Sequence, residues 1–122
     1  MSVEVRAIPP WEVEAVASDL RHLIDKAWSR GCDTPLQTMI ADALDLDAVM
    51  WVALVNRVPK GVSFTRRVKR DDGSIWVWAV CTGGIDGHVW AEPLRKRLHV
   101  YRQAEGASCL AMRGRKGWAR WY

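Results

Sequence analysis

No stretch of this 122-residue chain approaches the roughly 20 consecutive apolar residues that a membrane-crossing helix requires. The first ten residues also lack the pattern of a secretory leader, because acids and alternating valines stand where a basic and then an apolar segment belong. A soluble, unprocessed, cytoplasmic product is expected. Cysteine is scarce: Cys32, Cys81 and Cys109 are odd in number, widely spaced and set among apolar neighbours. Neither a disulfide framework nor a CxxC-type metal site is expected from them, and the bland reading is three small buried thiols. Paired carboxylates, Ser-His-Asp elements, a Walker loop and a metal-ligand cluster are all missing at useful spacing. Asp42, Asp45 and Asp47 alternate with Leu44 and Leu46 around a helix end and read as an ordinary polar turn.

Acid is the other shortage, and it is local. Residues 93–122 hold eight bases and one acid, Glu105, whereas residues 1–50 hold nine acids and four bases. A dipolar surface follows, suited to an anionic partner or to docking on a complementary protein. With 49% hydrophobic residues, the chain can bury a real core as one domain spanning residues 1–122.

Alternation over residues 2–8 predicts a short half-buried strand stopped by Pro9 and Pro10. From Trp11, apolar residues recur at three- and four-residue steps through Trp28, which predicts one helix ended by Gly31. Asp33 or Thr34 before Pro35 reads as an N-cap opening a second helix with Leu36, Met39, Ile40, Ala43 and Leu44 on one face. Residues 48–55 are almost continuously apolar, as in a central strand covered on both faces. A turn at Pro59-Lys60-Gly61 leads to a third strand with one face to water, and Asp71-Asp72-Gly73 is a hairpin signal before a fourth strand over residues 74–82. Gly83, Gly84 and Gly87 precede a helix from about His88 to Glu105, with Trp90, Leu94, Leu98, Tyr101 and Ala104 on its buried side and Gly106 at its end. Residues 109–112 make a fifth strand, parallel to the fourth. The class is α+β, in the order β-α-α-β-β-β-α-β, a mixed and mostly antiparallel sheet flanked by helices.

The chain closes on MRGRKGWARWY. Trp118, Trp121 and Tyr122 stand at i, i+3 and i+4, a spacing that packs aromatics onto a sheet more readily than onto bases. Arg113, Arg115, Lys116 and Arg120 then form the solvated side.

This order of elements, with its glycines between the fourth strand and third helix, resembles the N-terminal four-fifths of a GNAT acetyltransferase fold. The segment YRQAEGASCLAMRGRKGWARWY is similar to the end of small GNAT-like proteins encoded by tailed bacteriophages, with Gly114-Arg115-Lys116-Gly117-Trp118 as its specific motif. VMWVAL, GVSFT and CTGG look like strands and a double-glycine turn of the same group. In the enzymes of this fold the fourth-strand turn reads Gln/Arg-x-x-Gly-x-Gly/Ala and holds the cofactor pyrophosphate on backbone N–H groups. Here it reads CTGGIDGH, with no Gln or Arg at the right step and with Asp86 where phosphates would sit. The enzymes also supply a tyrosine on a helix after the fifth strand and then two more strands, and the chain ends at Tyr122, ahead of that architecture.

The resemblance and this departure together imply a phage protein that kept the fold without catalysis or cofactor, a minor virion structural or assembly protein docking on other particle proteins in the host bacterial cytoplasm. Trp11, Trp90, Arg115, Lys116, Trp118, Arg120 and Trp121 are the expected interaction residues, since eight tryptophans exceed what one small core needs. The alternative implied by the same resemblance is an acetyl-CoA-dependent N-acetyltransferase with Gly83, Gly84 and Gly87 as phosphate cradle and His88 as proton acceptor. A third reading is non-specific DNA binding through the basic half, including Arg66, Arg67, Lys69 and Arg70 and the cluster Arg95-Lys96-Arg97. His22 and His99 read as solvated, and no metal is expected.

Overall fold

The near-continuous apolar run of residues 48–55 becomes β2 (Ala48–Val55), a central strand buried on both faces in the computed structural model. The structure describes residues 2–29, 32 and 34–112. β1 (Val3–Ile8) lies antiparallel to β2, and β3 (Val58–Lys69) and β4 (Ile75–Gly84) extend the antiparallel meander. α4 (Gly87–Ala104) then crosses the sheet and returns the chain as β5 (Cys109–Met112), parallel to β4. The strand order is β1-β2-β3-β4-β5.

The two sheet faces carry separate cores. On one, Met50, Val52, Val62 and Phe64 meet α1 (Val13–Asp19), α2 (Arg21–Trp28) and α3 (Leu36–Leu44). On the other, Trp51, Ala53 and Ala79 meet Trp90, Ala91, Leu94 and Leu98 of α4. Period-2 alternation along the strands sends neighbouring residues to opposite layers, so β2 needs apolar side chains at every position.

Four expectations are corrected. The single helix from Trp11 is a 3-10 turn at Pro10–Glu12 followed by α1 and α2, broken at Leu20 where φ is −104° and ψ is 23°. The break lets α1 pack on α3 while α2 crosses β3 and β4, and one periodic apolar stripe serves both pieces. The turn before the third strand falls at Asn56 and Arg57, not Pro59-Lys60-Gly61. Both residues have positive φ, 50° and 69°, as a tight two-residue hairpin requires, and Pro59 sits inside β3 beside an irregularity in its pairing. β3 shows water one face only over its last residues, since 61–65 are buried on both sides. Finally, Cys32 and Cys81 form a disulfide, with Cα atoms 5.5 Å apart, a normal bridging separation. Only Cys109 of the three is a free thiol.

Asp71–Gly73, Gly106 with φ +68° at the end of α4, and the parallel placement of β5 match the reading of the sequence. Gly31 and Asp33 lie outside the described residues.

Candidate functional site

β4 carries the feature that organises the site. Phe64 pairs with Cys81 and Thr65 with Ala79, so Val80 is an extra residue, a bulge. On its other edge β4 pairs with β5 only from Trp76 to Ala79, against Cys109 to Met112. From Val80 to Gly84 that edge has no strand partner among the described residues. An unpaired strand edge is a row of N–H and C=O groups ready to bond an extended ligand.

The far end of β4 is fixed by close backbone packing. Ile85 donates its N–H to the Lys60 carbonyl at 2.8 Å. A Cβ on Gly84, whose φ is +148°, would collide with that same carbonyl oxygen, and one on Gly83 would stand 2.6 Å from the Cα of Ala27 in α2. Both glycines therefore have a packing reason to be glycine, independent of any ligand. Gly87 opens α4.

Asp86 holds the turn in the left-handed region, at φ 56° and ψ 41°. Its carboxylate makes no capping bond to the first-turn amides and lies 3.8 Å from the Lys60 ammonium. The negative charge read from the sequence thus has a neighbouring cation. The Val89 amide is taken by the Asp86 carbonyl at 2.9 Å, which leaves the Gly87 and His88 amides at the N-terminus of an 18-residue helix to face an anion. His88 is exposed on the first turn of α4.

On the face away from α4, the outer part of β3 and β4 forms a groove of 310 Å³ lined by Thr34, Arg66, Val68, Arg70, Trp78 and Val80. Arg66 opposes Trp78 and Val68 opposes Trp76 across the strand pair. Asp42 on α3 ion-pairs with Arg66. The indoles of Trp76 and Trp78 stack with centroids 6.1 Å apart, and the Arg70 guanidinium sits 4.2 Å over Trp76. One end of the groove is the bulge residue itself.

The residues expected at an interaction surface divide. Trp11 is exposed over 80% of its surface. Trp90 is fully buried and donates its indole N–H to the Ile85 carbonyl at 2.7 Å, so it is a core residue and cannot dock a partner. Arg115, Lys116, Trp118, Arg120 and Trp121 lie outside the described residues. Residue order carries no sign of the Val80 bulge, because Val80 continues an apolar run, and it marks Arg66 and Arg70 as a basic patch without their tryptophan partners. His99 is half-buried rather than solvated, and its Nδ1 accepts from Arg102 Nε at 3.2 Å.

The sequence matches no family model and no curated protein. Solved structures do match. A ribosomal-protein-alanine N-acetyltransferase from Brucella melitensis biovar Abortus superposes with a TM-score of 0.71 at 13% identity, over 99% of this chain and 88% of that one. An aminoglycoside acetyltransferase from an uncultured soil metagenomic sample gives 0.70 at 17% identity, over 95% and 82%. A predicted acetyltransferase from Clostridium acetobutylicum, in a structure with acetyl-CoA, gives 0.68 at 12%, over 99% and 86%. The fold is that of the GNAT acetyltransferases, an α+β fold with a mixed five-stranded sheet flanked by helices. These neighbours correct the expectation of a catalytically silent virion or assembly protein, for each is an acetyltransferase and none is a particle component. Among the described residues no helix is long and apolar enough to cross a membrane.

Proposed function

We propose that this chain is an N-acyltransferase that uses acetyl-CoA as acyl donor. The observation that carries the reading is the half-open edge of β4, unpaired from Val80 to Gly84 among the described residues and running into the N-terminus of α4. An extended pantetheine arm has two amides that can pair with such an edge as an added strand would. Its diphosphate would then meet the first-turn amides of α4, with Lys60 beside them. The named neighbours are acetyltransferases, and one is described with acetyl-CoA.

In the transfer, the amine nitrogen bonds to the thioester carbon as the carbon–sulfur bond breaks. The amine gives up a proton and the donor leaves as the free thiol. β4 has no carboxylate or imidazole of its own, so the strand's part is to position the thioester through its backbone, and His88 is the histidine beside the turn.

Calorimetric titration of the chain with acetyl-CoA tests the reading. Saturable binding on the order of micromolar is expected, weakened in Lys60→Ala and kept or tightened in Asp86→Ala as a charge facing the diphosphate is removed or a repulsion relieved. No heat from either the natural chain or Asp86→Ala overturns it.

A further inference from the structure

The groove that ends at Val80 is lined by two guanidinium-bearing side chains, one indole, two valines and Thr34, with no carboxylate among the described residues of its wall. Arg66 is gripped by Asp42 from α3, which orients it, and a guanidinium with five N–H donors has others left for a ligand. Arg70 has no carboxylate within ion-pair distance among the described residues. The nearby Asp72 accepts from the Ser74 amide and hydroxyl at 2.9 and 2.6 Å and feels the Arg70 charge without pairing with it. The Arg70 guanidinium is held over Trp76, and Trp76 is stacked on Trp78, so cation and aromatic wall form one ordered unit.

We infer that this groove receives the amine acceptor and selects one that carries an anionic group, carboxylate or phosphate, on a flat apolar body. The assignment rests on the transferase reading, which brings the thioester to the bulge at Val80. A flat body lies against Trp78, Val68 and Val80, and its anionic end reaches Arg70 and Arg66. The acceptor's amine is then left at the Val80 end. A polycationic acceptor of the aminoglycoside kind meets the Arg70 cation there, beside an Arg66 already ion-paired to Asp42, and is disfavoured, so specificity differs from that named for one of the structural neighbours.

The test is calorimetric titration of the whole chain, at low ionic strength, with benzoate, phenyl phosphate and benzylammonium, three probes sharing one ring. The two anions are expected to bind about tenfold or more tighter than benzylammonium, and their affinity is expected to fall about tenfold in Arg70→Ala. The ratio of benzoate to phenyl phosphate tells carboxylate from phosphate. Arg70 is exposed, so its loss should leave the thermal midpoint unchanged, and Trp78→Ala provides a second variant with the arginines intact. Equal or tighter binding of benzylammonium, or anion binding indifferent to Arg70, overturns the assignment. If acetyl-CoA binds and the probes do not discriminate, the groove assignment falls and the transferase reading stands. If the anions bind through Arg70 while neither the natural chain nor Asp86→Ala takes acetyl-CoA, the transferase reading falls and the acceptor role falls with it.

Discussion

The indole ring of Trp90 lies directly on Gly61, so close that a Cβ at position 61 would stand 2.5 Å from two ring carbons. The contact joins α4 to β3 beneath the turn where β4 ends, and the Trp90 N–H reaches on to the Ile85 carbonyl of that turn. One glycine therefore sets how near the helix N-terminus comes to the sheet.

Gly61→Ala should destabilise the fold by about 1–3 kcal/mol, because both the fully buried ring and the strand backbone resist moving. Chemical denaturation checks the stability. The same variant should weaken acetyl-CoA binding, since lifting α4 displaces the first-turn amides from the edge of β4. Wild-type stability in Gly61→Ala would show that the ring gives way without cost.

The disulfide between Cys32 and Cys81 ties the connection after α2 to the strand that bears the bulge, across 49 residues. Denaturing the oxidised protein should expose one reactive thiol, Cys109, and denaturing it after reduction should expose three. Reduction, or the Cys32→Ser substitution, is expected to cost about 2–4 kcal/mol. Three thiols without reductant would show that the bridge does not form.

His99 titrates below its ordinary value of 6.5, chiefly because burial disfavours the charged ring, with Arg102 and Arg95 adding repulsion. A histidine with a depressed folded pKa stabilises the fold in full above 6.5, and that contribution is lost as pH falls from there through the folded value. Protonation also takes away the acceptor that Arg102 uses. Denaturation midpoints should therefore drop on acidification below about 6.5, and His99→Gln should flatten that part of the profile. An unchanged profile in His99→Gln would remove His99 as the cause.

The helix after the double glycine was legible because Trp90, Leu94 and Leu98 recur with helical spacing and Gly106 takes a positive φ just past its end. The hairpin at Asn56 and Arg57 was hidden by the stronger turn residues Pro59 and Gly61, which the fold spends on a pairing irregularity and on the seat for Trp90. The cysteine pairing was hidden for a different reason. Sequence gives the separation of two thiols along the chain, and the bridge depends on α2 crossing β4.

Local patterning by itself determined the order of the five strands, the helix between the fourth and fifth, the double burial of β2 and the parallel return of β5, because periodicity and turn chemistry act between near neighbours along the chain. Tertiary structure alone decided the bulge at Val80, the short ladder that leaves the end of β4 without a strand partner among the described residues, the disulfide between Cys32 and Cys81, and the meeting of Arg66, Arg70 and Trp78 in one groove with Trp76 stacked behind it. These depend on register between strands and on how closely helices approach the sheet, and both are fixed by long-range packing that residue order does not encode position by position.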